Sequence, residues 1–149
     1  MNNIGGIIQC EILGIDDVIL FSVVNQIAEI RKKETAEWHT LPINRRNTMV
    51  TAAPVAGNAG TLYEHKFSTI LPANVVTRLD ISRYRLFCIN GCILRYTDAN
   101  GNKRMLGTKD YPLTGTFAEV PEQTAAGLAG YELKLNASEV IPQLPYIEI

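Results

Sequence analysis

The first 24 residues place two short apolar runs on either side of a turn. Residues 4–13 and residues 18–24 are rich in Ile, Val and Leu and poor in helix formers, whereas residues 14–17 have the composition of a turn. Short runs of this kind, bounded by turn residues, are typical of β-strands. We therefore predict two strands, and their closeness in sequence indicates a hairpin.

The next segment, residues 25–38, is rich in charged helix formers but carries only a weak apolar stripe. The composition favours a helix and the weak periodicity favours a charged loop. Both alternatives stay open. Residues 41–44, which include Pro42, end whatever precedes them.

Residues 47–53 predict a short strand, and the alternation of residues 61–71 predicts another. Between them, residues 53–60 are small and nearly uncharged, so we predict a flexible, exposed loop there. Pro72 is well placed to begin a short helix, in which Val75, Val76 and Leu79 have helical spacing.

Two β-rich runs meet at Asn90-Gly91 within residues 84–96. This dipeptide supplies the positive φ values of a type I′ turn, so we predict a hairpin. Both faces of such a hairpin would be apolar, which requires burial on both sides, either within the chain or against another subunit. The candidate interface or core residues of this hairpin are Leu86, Phe87, Ile89, Ile93 and Leu94.

The remaining sequence continues this pattern. A turn at residues 98–102 leads to a strand at 103–106, and strands at 114–120 and 130–135 flank a turn at 121–124. Pro142 and Pro145 exclude a helix near the C-terminus. Roughly eight short strands and one or two short helices predict a mainly β fold. We expect a β-sandwich or partly closed barrel, formed as a single β-rich domain by residues 1–149 with a flexible loop near residues 53–60.

Composition narrows the range of partners. Apolar residues make up 46% of the chain and charged residues 19%, and the net charge is −1. Nucleic acids and anionic membranes are bound by proteins with a basic excess, so we expect neither as a partner. The N-terminus also lacks the basic and long apolar regions of a signal peptide, which favours the cytoplasm.

Candidate chemistry is sparse. In the predicted hairpin, Cys88 and Cys92 point to opposite faces, so we expect buried free thiols that neither form a disulfide nor share a zinc ion. His39 and His65 have no Cys or His partner at ligand spacing, and no nucleophile motif accompanies them. We therefore expect no catalytic residue, no metal and no cofactor, and a protein that is not an enzyme.

A succession of motifs runs from Gly60 to the end of the chain: Gly-Thr-Leu-Tyr-Glu-His-Lys-Phe at 60–67, Leu-Arg-Tyr-Thr-Asp-Ala-Asn-Gly at 94–101, Gly-Thr at 107–108, Tyr-Pro-Leu at 111–113 and Gly-Tyr-Glu-Leu-Lys-Leu at 130–135. This order resembles small structural proteins from the tail or head–tail modules of tailed bacteriophages and prophages. The resemblance implies a non-catalytic virion or tail-assembly protein that forms a homo-oligomer and contacts other virion proteins. It also implies a cytoplasmic location during assembly and then a place in the virion.

A monomeric β-sandwich binding module for a carbohydrate, peptide or other small ligand is the alternative. Aromatic side chains could provide stacking surfaces for such a ligand, although tyrosines are also common as half-buried sheet residues. The aromatic candidates are Trp38, Tyr63, Tyr84, Tyr96, Tyr111 and Tyr131.

Overall fold

The structure is a computed structural model that describes residues 6–43, 48–57, 60–120, 130–139 and 144–148. The described residues form eleven strands and one α-helix, with short 3₁₀ turns at Ile15–Asp17 and Ala73–Val75. The predicted mainly β class is confirmed. The strands are β1 (Ile7–Gly14), β2 (Val18–Val24), β3 (Ile27–Lys32), β4 (His39–Thr40), β5 (Met49–Gly57), β6 (Gly60–Pro72), β7 (Cys92–Asp98), β8 (Lys103–Leu106), β9 (Thr114–Val120), β10 (Gly130–Glu139) and β11 (Tyr146–Glu148), and the helix is α1 (Arg78–Asn90).

The strands form three sheets that stack as layers. The middle sheet has the order β4-β1-β7-β8, the second β5-β6-β10-β9, and the third β11-β3-β2. This is a sandwich-like arrangement of open sheets with a third layer added, and it corresponds to the β-sandwich alternative of the sequence prediction.

Strand β7 lies in the middle sheet and is buried on both faces. Cys92 and Leu94 belong to the apolar cluster between the middle and second sheets, where Phe67 and Leu133 also pack. Ile93 belongs to the cluster between the middle and third sheets. Because successive side chains of a strand point to opposite faces, one strand supplies both cores. Burial on two sides, which the sequence predicted for all of residues 84–96, is therefore observed for β7, whereas Leu86 and Ile89 before it are exposed.

Helix α1 covers the edge of the sandwich beside β9. Thr77 begins it with a capping box, in which Asp80 N donates to Thr77 Oγ1 at 3.2 Å and Thr77 N donates to Asp80 Oδ2 at 3.1 Å. Such reciprocal bonds satisfy backbone donors that the first turn leaves open. Tyr84 and Cys88 form the buried side of α1. The centroid of the Tyr84 ring lies 5.3 Å from the centroid of the Phe117 ring on β9.

The predicted hairpin at residues 84–96 is wrong. Residues 84–90 are helical, and Gly91, with φ +99°, follows the last helical residue before β7 starts. Gly adopts positive φ values without a steric penalty, so it can follow the last residue of a helix as readily as it forms a hairpin turn. The short helix expected after Pro72 is present only as the 3₁₀ turn Ala73–Val75, and Leu79 belongs to α1, which begins separately at Arg78.

Two predictions for the first third of the chain are also wrong. Strands β1 and β2 are both present, but β1 pairs with β4 and β7 while β2 pairs with β3, so they form no hairpin with each other. Residues 27–32, for which a helix and a loop were the alternatives, form β3. Asn25 and Gln26, with φ values of 52° and 64°, turn the chain between β2 and β3. These values are those of a type I′ hairpin turn.

The loop predicted near residues 53–60 is mostly strand. Residues 53–57 complete β5, and the antiparallel pairing with β6 extends to Gly57 opposite Gly60, while residues 58–59 lie outside the described part of the chain. The predicted turn at 121–124 also lies outside it. The turn at 98–102 is confirmed, since the Asp98 carboxylate accepts hydrogen bonds from the backbone N–H groups of Asn100 and Asn102.

The described C-terminal segment, residues 144–148, joins two sheets. Met105 N on β8 donates to Leu144 O at 3.0 Å, and Ala28 N on β3 donates to Pro145 O at 2.9 Å. Strand β11 then runs parallel to β3. Within the described ranges, no helix is long and apolar enough to cross a membrane.

Candidate functional site

The five candidate hairpin residues occupy two different environments. Ile93 and Leu94 are fully buried on β7, and Phe87 is half-buried on α1. Leu86 and Ile89 lie on the outer face of α1 and are 56% and 75% exposed. The structure therefore assigns two of the five to the core and two to the surface.

The outer face of α1 carries a third large aliphatic side chain, Leu79, which is 80% exposed. Leu79 and Leu86 are seven residues apart, and Ile89 follows three residues later. At 3.6 residues per turn, all three lie within about a quarter of the helix circumference. We call Leu79, Leu86 and Ile89 the α1 apolar row.

Arginines flank the α1 apolar row. Helical spacing places Arg78 and Arg85 on one side of it and Arg83 on the other, and all three are exposed. Asp80, the helix's acidic residue, is held in the capping box, and the Thr77 backbone N–H bonded to it is the main cause of its lowered pKa. The face thus combines aliphatic side chains with positive charge.

A groove of about 470 Å³ lies between α1 and the end of β1. Its walls carry aromatic, basic and acidic side chains and the backbone of a glycine. They include Trp38, Phe87, Arg83, Asp17, Glu37 and Gly14.

A three-residue hydrogen-bond network forms one wall of this groove. Arg83 Nη1 donates to His39 Nδ1 at 2.7 Å, which leaves His39 Nε2 to donate to Tyr84 Oη at 2.8 Å. Burial and the Arg83 charge lower the pKa of His39, so the neutral imidazole is favoured. Burial raises the pKa of Tyr84 to about 12, which keeps its phenol protonated. With both imidazole nitrogens engaged, the network serves to hold α1 against β4.

A second charged cluster lies on the opposite side of the middle sheet. The Arg95 guanidinium lies 4.1 Å from the centroid of the Trp38 ring and contacts Glu11 and Glu148 at 2.9 and 3.6 Å. Trp38 Nε1 donates to Glu148 Oε2 at 2.8 Å. This cluster fastens β11 to the middle sheet. A single arginine inside the otherwise apolar start of β7 was the sequence signal for it.

The cysteines are confirmed as free, buried thiols. The reason given from the sequence was wrong, because Cys88 lies on α1 and Cys92 on β7 instead of on two hairpin strands. Burial raises the pKa of Cys10 to about 12 and that of Cys88 to about 11, and it raises the pKa of Cys92 as well. Thiolates are the reactive form, so these side chains act as small hydrophobes.

Within the part of the chain that the structure describes, no three His, Cys, Asp or Glu side chains converge as metal ligands would.

The six aromatic candidates differ in exposure. Tyr84 and Tyr96 are core residues, and Tyr111 is exposed. Trp38, Tyr63 and Tyr131 are half-buried.

Comparison with known proteins gives no relative for this fold or these surfaces: the chain matches no protein family model, no curated protein and no solved structure.

Proposed function

We propose that this chain is a non-catalytic structural protein of a tailed phage or prophage, which works in the tail or head–tail region by associating with copies of itself and with other virion proteins. It assembles in the cytoplasm and is then retained in the virion. The observation that carries the proposal is the α1 apolar row, because it is a surface suited to contact another protein.

The three side chains of this row would gain from burial. Removing a Leu or Ile side chain from water contributes about 1.5–3 kcal/mol when burial is complete. Isolated apolar residues are common on protein surfaces, whereas three large aliphatic side chains on one face of a single helix are a feature of interaction sites. The row therefore supports a role in association.

The flanking arginines indicate how the row is used. Two copies of α1 packed face to face would bring Arg78 and Arg85 of each copy close to those of the other, and like charges oppose such contact. We therefore expect the α1 apolar row to bind a surface other than itself on the neighbouring molecule, one that has carboxylates near apolar side chains. Contacts between unlike surfaces of identical chains build rings or filaments.

The phage assignment is supported by the motif order from Gly60 onward. The Gly-Thr-Leu-Tyr motif lies at the start of β6, the Tyr-Thr-Asp motif ends β7 and turns into β8, and the Gly-Tyr-Glu motif begins β10. Each motif thus occurs at the beginning or end of a strand, where turn geometry constrains the residue type.

Solution mass tests the proposal. Multi-angle light scattering across a concentration series is expected to show a closed oligomer, or reversible growth toward one. A constant mass of 16.5 kDa at every concentration would contradict the homo-oligomer. Electron microscopy of any oligomer then distinguishes rings from filaments.

The groove beside α1 favours a second candidate function, a monomeric binding module for a carbohydrate, peptide or other small ligand. Trp38 and Phe87 offer apolar surface there, and Arg83 and Glu37 offer charges of both signs. Small-ligand sites combine these features in a concave surface. A thermal-shift screen with sugars and short peptides tests it, and loss of a ligand's effect in Trp38→Ala would locate the site in this groove.

A further inference from the structure

Strand β2 forms one edge of the third sheet, and within the described residues it pairs only with β3. An edge strand presents unpaired N–H and C=O groups along its free side, which is a template for pairing with another strand. Natural proteins protect such edges with charged residues, proline, short length or a covering element.

β2 lacks most of these protections. Its sequence, Val-Ile-Leu-Phe-Ser-Val-Val, contains no charged residue, no Pro and no Gly, and it is seven residues long. Segments of this composition pair readily with identical segments. Ile19, Leu20, Val23 and Val24 are exposed along it.

The other edge strands in the described chain differ from β2. β4 and β11 have only two and three residues, and β5 contains Pro54. β8 carries Lys103 and Arg104, and β9 is covered by α1. The contrast identifies β2 as the edge that is most open to pairing.

One end of β2 does have a partner. Lys109 Nζ donates to Ile19 O at 3.1 Å, and the pairing of β2 with β3 shifts by a bulge between Val18 and Leu20. The open part of the edge therefore runs from Leu20 to Val24. This leaves five residues, a common length for a paired strand.

We infer that β2 pairs antiparallel with β2 of a second copy, so that two three-stranded sheets join into one of six strands. Because β2 carries no charged side chain, two copies of it can meet without repulsion between like charges. A two-fold axis relating two chains places their β2 strands antiparallel, so the same edge of each chain can pair with that of the other. The inference rests on the proposed self-association and adds to it a second, two-fold interface, distinct from the contact proposed for the α1 apolar row.

Register shows which substitutions test the edge alone. Phe21 and Val23 pair with the buried residues Ile30 and Ala28, so their side chains point toward the core. Successive side chains of a strand alternate between faces, so Val24 points to the outer face of the third sheet.

Ile147 on β11 is opposite Glu29, which pairs with Ser22 on that outer face, so Ile147 points to the same face as Val24. Val24 and Ile147 are 48% and 49% exposed, and they lie on opposite edge strands. Val24→Lys and Ile147→Lys are therefore a matched pair.

The first measurement is the mass of these two full-length variants by light scattering, with thermal unfolding as the check on folding. Val24→Lys is expected to raise the dissociation constant about tenfold or more, because each edge would then carry a lysine that pairing must desolvate. Ile147→Lys is expected to leave it unchanged. Equal weakening by both would overturn edge pairing, since it would indicate contact through the outer face of the sheet.

The second measurement is an intermolecular distance from dipolar broadening of the continuous-wave electron paramagnetic resonance spectrum, with a nitroxide on Ser22→Cys, because this broadening reports the short distances expected between labels on paired strands. The three native thiols are buried, so labelling is confined to the new cysteine, and wild-type protein is the labelling control. Neighbouring strands lie about 5 Å apart and each residue of offset adds about 3.3 Å, so a label–label distance below about 20 Å is expected. Val24→Lys should abolish it.

The outcomes separate this inference from the proposed function. Oligomers without a short Ser22→Cys distance would overturn β2 pairing and leave self-association standing. A monomer at all concentrations would overturn both, and it would make an extended segment of another virion protein the remaining occupant of this edge.

Discussion

Arg95 and Glu11 are direct cross-strand partners on β7 and β1, and Arg95 Nε donates to Glu11 Oε1 at 2.9 Å. Their side chains are only 18% and 21% exposed. The pair is therefore largely withdrawn from water between the middle and third sheets, where Trp38 covers the guanidinium.

Replacing Arg95 by Met is expected to destabilise the protein by about 1–3 kcal/mol, because it leaves the Glu11 and Glu148 carboxylates partly buried without their cation. Urea unfolding followed by fluorescence measures this. The double variant Arg95→Met with Glu11→Leu should recover part of the loss. If the two substitutions are additive instead, the ion pair has no coupling energy.

Gly91→Ala is expected to lower the free energy of unfolding by about 2 kcal/mol or more. Gly91 has φ +99°, and a Cβ there would lie 2.8 Å from Cβ and Cγ of Pro112, so backbone strain and a clash combine. Gly101 is the matched control, with φ +83° and no heavy atom within 4 Å of an added Cβ. Gly101→Ala should cost only about 1 kcal/mol. Equal losses in thermal unfolding would show that Pro112 yields to the methyl group.

Protonation of His39 is expected to lower the free energy of unfolding on mild acidification. Burial and Arg83 lower its pKa in the folded state below the unfolded value of about 6.5, so the unfolded chain binds the extra proton more readily. The contribution of neutral His39 to the free energy of unfolding is complete above its unfolded pKa of about 6.5 and is lost as the pH falls through its folded pKa. Denaturation curves between pH 7.5 and 5 should therefore show a smaller decline in His39→Gln than in wild type. Parallel declines would assign the effect to other groups.

Leu86 and Leu94 are expected to respond very differently to the same substitution. Leu86→Asp on the α1 apolar row should fold normally and lower the associated fraction in light scattering. Leu94→Asp should not fold, because Leu94 is fully buried and an isolated carboxylate there costs several kcal/mol. Unchanged association in Leu86→Asp would remove the α1 apolar row from the interface.

The sequence predicted strands well where local signals agree. β8 has the predicted bounds, and β9 does as well. The Asp98 turn combines an Asx-type residue with Gly101 in a left-handed conformation, which is local chemistry that a sequence displays directly.

The helix was missed because its residues have β-rich composition. Residues 84–90 include Tyr84, Phe87, Cys88 and Ile89, and Asn90-Gly91 suits a hairpin turn as well as a helix end. The capping box from Thr77 to Asp80 was the available signal in favour of a helix. It was outweighed by the apolar run that follows.

The third sheet and its clusters depend on contacts that no local pattern contains. Strand β3 was obscured by its charged residues, and the Arg95 cluster brings together residues from four separate segments. The exposed row on α1 became visible only when Leu79, Leu86 and Ile89 were placed on one helix face.

The pairing of β11 with β3 has a consequence for synthesis on the ribosome. Ala28 is made well over a hundred residues before its partner Tyr146. At typical elongation rates, the inner edge of β3 stays uncovered for on the order of ten seconds in the nascent chain. The third layer is thus completed last, and we expect chaperone dependence during expression to fall on the β2–β3 hairpin.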